Sequence, residues 1–202
     1  GEDVAFGASR RLRAPLAGTA ELAKLWLLGD RAEDDSVDRL IRAARPVSSR
    51  VRRAPELDGE HGRAYALELP ALDIPGIGAI RSTITMRGAV RSSGGPQPGG
   101  GPFLEVGTCG DPRAVLAFGG GEVAFPRFGL NVSGALAIED GRECHACGPV
   151  SIDVQGQLPR LGGFAVPEQV LRPAAEEVCR QTVGFATSRL EQELSSDFAR
   201  WR

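Results

Sequence analysis

Arg142-Glu143-Cys144-His145-Ala146-Cys147-Gly148-Pro149-Val150-Ser151-Ile152-Asp153-Val154 alternates toward its end, with Val150, Ile152 and Val154 two residues apart and polar groups between them. That period belongs to a strand with one buried face. The stretch leads through Leu158-Pro159 into a long segment running from about Pro167 to the C-terminus. There Leu171, Ala174, Val178, Phe185, Leu190, Leu194, Phe198 and Trp201 trace one helical stripe. Glu176, Glu177, Arg180, Arg189, Glu191, Glu193 and Arg200 mostly take the other side, the pattern of an amphipathic helix. Pro173 predicts the helix start or a kink. A half-buried strand followed by a terminal amphipathic helix points to one curved sheet gripping one helix, an arrangement that often encloses a pocket. Loss of this helix is expected to unfold the domain.

Upstream of it, Val4, Phe6, Ala8 and Leu12 predict a first strand, with Arg10 on the same face. Thr19 is a candidate N-cap of a short helix carrying Leu22, Leu25 and Trp26 on one side and stopping at Gly29. Val37, Leu40, Ile41 and Ala44 predict a second helical piece over 33–44, ended by Pro46. Strands follow over 47–53, Tyr65–Leu69, 80–90, Phe103–Thr108, 114–118 and 128–138. In the third of these, Ile80, Ile84, Met86 and Val90 share one face, and Arg81, Thr83, Thr85 and Arg87 the other. Residues 92–102 are glycine, proline, serine and glutamine only; they are expected to form a flexible hairpin excursion too short to divide the chain. The expected fold is α+β, a single domain over 1–202: an antiparallel sheet wrapped around a long C-terminal helix, with two short helices after the first strand. An antiparallel sheet tolerates one wet face, which accommodates the arginines at 81 and 87.

Bulk properties exclude several classes. With 42% hydrophobic and 25% charged residues the chain can bury a core. A net charge of -2 leaves no electrostatic footprint for nucleic acid. No apolar run approaches the roughly 18 residues that span a bilayer, and the longest candidate, Leu22–Leu28, is broken by Lys24, the only lysine. A chain opening at Gly1 is what a processed protein would show, and equally a trimmed one. Four cysteines are too few for a disulfide scaffold.

Candidate chemistry is sparse. Cys144-His145-Ala146-Cys147 offers half of a zinc site, and no second Cys pair follows. In a strand the two thiols point to opposite faces. Cys144 is expected on the Val150/Ile152/Val154 face, and Cys147 near a turn before Gly148-Pro149. No metal site is expected. His61 lies in a polar turn, and Gly119-Gly120-Gly121 lacks the Lys-Ser/Thr of a phosphate loop. The sequence therefore designates no catalytic residue. Arg10 is the outlier, because a buried arginine needs a partner. Its expected state is snorkelling from the end of its strand, with capture of a carboxylate in a pocket as the alternative.

The alternating strand, the Leu158-Pro159 corner and the closing Asp197-Phe198-Ala199-Arg200-Trp201 resemble the cyanobacterial and plastid family known as domain of unknown function nineteen-ninety-seven. The earlier Tyr65-Ala66-Leu67-Glu68-Leu69-Pro70 and Ile80-Arg81-Ser82-Thr83-Ile84 are similar to that family too, while the insert at 92–102 departs from it. The resemblance implies a helix-grip fold similar to START-type lipid carriers and a plastid setting, peripheral to the thylakoid or stromal. It implies no catalytic residues. The function expected from it is non-enzymatic: a peripheral subunit or assembly partner of a thylakoid photosynthetic complex, with pigment or lipid as a possible ligand and no required cofactor. The alternatives are a soluble lipid or pigment carrier, or an enzyme acting on a hydrophobic substrate through Arg10 and His145. A carrier would use a cavity lined by Arg10, Tyr65, Met86, Leu136 and Phe185.

Overall fold

The computed structural model describes residues 3–29, 38, 40–41, 50–58, 63–69, 71–74, 78–96, 100–124, 129–157, 160–161, 164–165 and 168–202. The chain opens with β1 (Asp3–Leu16) and α1 (Ala20–Leu28). Strands β2 (Arg50–Arg53), β3 (Ala64–Glu68), β4 (Leu72–Ile74), β5 (Gly78–Arg91), β6 (Phe103–Thr108), β7 (Arg113–Phe118), β8 (Gly121–Ala124), β9 (Gly129–Glu139) and β10 (Cys144–Gln157) follow. A two-stranded ribbon, β11 (Arg160–Leu161) and β12 (Phe164–Ala165), precedes the terminal helix α2 (Glu168–Trp201). The main sheet has ten strands, and its principal order is β1-β10-β9-β6-β5-β3-β2. All its pairings are antiparallel, β7 and β4 adding to β5, and β8 to β7. This is an α+β helix-grip architecture, as the periodicities predict.

The register decides the two faces. Leu12, Ala14 and Leu16 of β1 lie opposite Gly148, Ala146 and Cys144 of β10. Leu104 and Leu136 pair across β6 and β9, and Leu67 and Ile84 across β3 and β5. These residues form the inner face and the core. Arg81 and Arg87 stand exposed on the outer face, as predicted.

α1 closes one end of the inner face. The Thr19 hydroxyl accepts from the Leu22 N–H at 3.3 Å, and Gly29, at φ 42°, ends the helix by donating to the Leu25 carbonyl. Its buried side is Ala20, Ala23, Trp26 and Leu27, whereas Leu22 and Leu25 are exposed. The predicted apolar side is thus rotated: alanines let the helix backbone approach the sheet, and only Trp26 of the predicted trio is inside. Of the predicted second helix, Asp38, Leu40 and Ile41 are described, all helical, with Leu40 and Ile41 buried. His61, residues 47–49 and the Leu158-Pro159 corner lie outside the described residues.

α2 runs alongside β1 in the same direction. Arg172 sits over the Phe6 ring, Arg10 donates to the Gly184 carbonyl at 3.3 Å, and the Arg13 N–H donates to Glu191 Oε1 at 2.8 Å. The last contact satisfies a backbone donor on the free edge of β1, where an unpaired group would invite another strand. The helix begins before Pro173, at Glu168, so this proline lies inside it. The buried stripe is Cys179, Val183, Thr187, Leu194 and Phe198, with Leu190 half-buried. Phe185, predicted inside, is 52% exposed beneath Arg189. Thr187 is fully buried because its hydroxyl donates to the Val183 carbonyl, which removes the cost of an unmet polar group. The side chains of Leu171, Ala174 and Val178 lie outside the described set.

The closing motif is a clasp. Asp197 Oδ2 accepts from the Trp26 indole N–H at 3.2 Å, Phe198 meets the Trp26 ring edge-to-face at 5.3 Å, and Trp201 stacks on Phe198 at 6.1 Å. Gly18 makes room, since a Cβ there would stand 2.9 Å from Phe198 Cζ. The excursion at 92–102 has a hydrogen-bonded stem, with the Gly94 and Gly95 N–H groups donating to the Gly100 and Gly101 carbonyls. Its near end is therefore a hairpin arm, as the sequence predicts.

Candidate functional site: a half-covered apolar strip on the inner face

α1 and the α2 clasp bury the inner face at the Leu12, Leu16, Leu104, Leu136 and Ile138 end. Further along the same strands the cover thins. Phe6, Ala8, Met86, Val106, Val132 and Val150 are only half-buried although they face inward. Two rows build this strip. Arg10 lies opposite Val150, which pairs with Gly134; Gly134 in turn pairs with Val106, and Val106 with Gly88. In the next row Ala8 lies opposite Ile152, which pairs with Val132, while Met86 pairs with Tyr65. Gly134 and Gly88 bring no side chain to these rows, and the valine methyls close in over Gly134. A Cβ at Gly134 would meet Val106 Cγ2 at 3.2 Å and Val150 Cγ2 at 3.7 Å.

Polar groups mark the strip's two borders. On the α2 side, Arg10 is exposed and its guanidinium is spent on the Gly184 carbonyl. This is the snorkelling state. On the far side, the Tyr65 hydroxyl donates to Asp38 Oδ1, and Arg63 donates to Asp38 Oδ2 at 3.1 Å. Arg53 lies over the Tyr65 ring at 5.1 Å and grips Asp58 through both its terminal nitrogens.

The Arg53 guanidinium beside Asp58, with help from the Ala64 N–H, lowers the Asp58 carboxyl to about 2. A carboxyl depressed in the folded state adds stability above its unfolded value near 3.9 and loses it as pH falls through the folded value. The wild type is therefore expected to lose stability between about pH 4 and 2 in a step that Asp58→Asn removes. Denaturant titrations across that range check it, and two parallel curves would refute it.

Only part of the predicted site comes together. Tyr65 and Met86 are direct cross-strand neighbours within the strip. Arg10 borders it, Leu136 is sealed in the α1-capped core at 2% exposure, and Phe185 points away from the sheet. Val106, Val132, Val150 and the two glycines were not among the predicted lining residues, because alternation gives each strand's apolar face while only the register shows which of those residues lie side by side. The Arg10/His145 pair does not converge. Arg10 is on the inner face, while His145, opposite Pro15, is on the outer face with Nδ1 at 3.0 Å from the Glu143 carbonyl.

Cys144 sits on the Val150/Ile152 face as predicted. Cys147 does not precede a turn: β10 runs straight through Gly148-Pro149, and the thiol is fully buried on the outer face, 3.5 Å from Glu139 Oε2 and 3.8 Å from Arg11 Nη2. Burial pushes the Cys109, Cys144 and Cys179 thiols up, away from the thiolate that nucleophilic chemistry needs. Among the described residues no three His, Cys, Asp or Glu side chains are placed to hold a metal ion. An open cleft of about 800 Å³ lies between the β1–α1 and β9–β10 turns, lined by Thr19, Lys24, Asp140 and Arg142 among others. Its mixed charges converge on no single point. No helix among the described residues is long and apolar enough to cross a membrane.

No family model matches the chain, and no curated protein matches it in sequence. Solved structures similar in overall course include a Thermus thermophilus protein at 9% identity and a TM-score of 0.49, covering 96% of this chain and 99% of that one. A Streptomyces aromatase/cyclase is 14% identical with a TM-score of 0.41, over 98% and 95% of the two chains. Norcoclaurine synthase from Thalictrum flavum is 10% identical with a TM-score of 0.42, over 93% and 87%. Likeness at this level transfers no activity and no ligand, and the helix-grip assignment rests on the chain's own strand order and terminal helix.

Proposed function

We propose that this domain binds an apolar small molecule, of the lipid or pigment class, on the inner face of its sheet and carries it without chemical change. The observation that supports this reading most is the half-covered strip of Met86, Val106, Val132 and Val150 around Gly134. A packed interior leaves few voids, and binding sites are concave, mostly apolar and edged by few polar groups. The absence of chemistry is part of the proposal. The polar groups bordering the strip are spent on one another or on backbone, Tyr65 on Asp38 and Arg10 on Gly184. The setting in a photosynthetic cell, and service to a thylakoid complex, rest on the family resemblance of the sequence motifs.

Val106→Phe and Val150→Phe test it by filling the strip. If the space serves a ligand, each variant is expected to weaken binding of a fluorescent fatty-acyl probe at least about tenfold while leaving Tm within a few degrees, because the ring enters unoccupied volume. Overpacking of a filled core would instead cost about 1–3 kcal/mol. That cost, or a wild type that binds no acyl probe, would overturn the reading.

A further inference from the structure

The outer face of the sheet carries a second feature, independent of the strip. Arg52 of β2 lies opposite Ala66 of β3, which lies opposite Thr85 of β5. Arg87 is two residues along β5 on the same side, and Arg113 of β7 lies opposite Thr83. The register therefore puts Arg52, Arg87 and Arg113 on one face, around the half-buried Ala66, Thr83 and Thr85. Three strand spacings of about 4.8 Å and an offset of two residues along the strands separate Arg52 from Arg113, about 16 Å in all. Among the described side chains of this face the carboxylates are engaged: Glu68 with Arg50 at 3.9 Å, Glu122 with Arg81 at 3.4 Å and Glu105 with Arg91 at 2.8 Å. Arg52, Arg87 and Arg113 are exposed and have no carboxylate within ion-pair distance among the described residues. On a chain whose net charge is -2, the described side chains of this face have a local surplus of three positive charges. Among the described side chains, none of the exposed large apolar residues, Leu22, Leu25, Leu57, Phe185 and Trp201, belongs to β2, β3, β5 or β7.

From this charge pattern we infer that the outer face of β2-β3-β5-β7 docks on an anionic lipid surface, with Arg52, Arg87 and Arg113 meeting headgroup phosphates or carboxylates. A stable protein interface needs an apolar centre inside its polar rim, and this face has small and hydroxylated groups there. A sheet of anionic headgroups asks only for accessible cations on one side, and each arginine near such a surface strengthens binding about fivefold. Guanidinium groups suit the task, since their planar fork engages two acidic oxygens at once.

The test is co-sedimentation of the full chain with vesicles of phosphatidylcholine alone or with about one third phosphatidylserine. Binding is expected only to the anionic vesicles, and release in about 0.5 M salt. The triple variant Arg52→Gln, Arg87→Gln, Arg113→Gln is expected to lose about a hundredfold in partitioning, the product of three fivefold steps. The charge-matched triple Arg180→Gln, Arg189→Gln, Arg200→Gln, on exposed positions of α2, is expected to bind like the wild type. Val106→Phe should bind vesicles unchanged, which separates this inference from the fate of the apolar strip. Equal loss in both triples, equal binding to uncharged vesicles, or no vesicle binding at all would overturn the proposal. So would tighter binding to soluble polyglutamate than to vesicles, which would assign the face to an acidic protein.

Discussion

Replacing Phe198 by alanine is expected to cost about 4–5 kcal/mol, the upper end of the range for a buried aromatic. Phe198 is fully buried and stands at the centre of the clasp, edge-on to Trp26, under Trp201 and against Gly18. Alanine leaves a ring-sized void that the neighbours cannot collapse into, because Trp26 is held by its bond to Asp197. An edge-to-face pair worth about 0.5–1.5 kcal/mol beyond area burial is lost with it. Domains of this size are stable by only about 5–15 kcal/mol, so the variant would sit near its unfolding threshold. Trp201→Ala is the internal control: at 38% exposure it is expected to cost about 1 kcal/mol. Urea midpoints at a constant slope measure both. A Phe198 penalty below about 2 kcal/mol would mean that the clasp does not hold α2 to the rest of the domain.

Gly148→Ala is the second large effect, and its origin is backbone rather than side chain. A Cβ at Gly148 would lie 1.6 Å from the Ala135 carbonyl oxygen and 2.7 Å from its carbon. Neither atom is the flexible end of anything, so β9 and β10 would have to separate at the middle of the sheet. The pinch coincides with Pro149, which has no N–H to give to the ladder, and the regular pairing of β10 with β9 is interrupted between Cys147 and Val150. The expected loss is about 3 kcal/mol or more, beyond ordinary overpacking. Gly134→Ala, whose Cβ would meet Val106 Cγ2 at 3.2 Å, is expected to cost about 1 kcal/mol, since a valine methyl can give way. Thermal unfolding of the pair checks the contrast. Comparable penalties would refute so close an approach of the strands at Gly148.

Much of the architecture was legible in periodicity. The alternation over Ile80–Val90 placed Arg81 and Arg87 outside and Ile84 inside, and the register agrees. Thr19 and Gly29 bounded α1 at the positions observed. Faces of helices were read less well, because large apolar residues outweighed small ones. Leu22 and Leu25 looked like core, yet Ala20 and Ala23 take the sheet side, where only a small residue lets two backbones approach. On α2 the true stripe passes through Cys179, Val183 and Thr187, weak hydrophobes beside the conspicuous Phe185. Short strands such as β4 and β8 carry too few residues to show a period.

By itself the sequence determined the class of the fold, the order of its elements, the wet face of the sheet and the terminal helix that closes it. Each of these is written in local periods, of two residues or of three to four, that a single segment displays alone. Which residues share the two proposed surfaces was decided by the tertiary structure. Gly88 and Gly134 fall in one row, Arg52, Arg87 and Arg113 share a face, and Arg10 and His145 part to opposite faces only through the pairing of strands far apart in the chain. Register is a relation between segments, and a shift of one residue would exchange every inner side chain for an outer one.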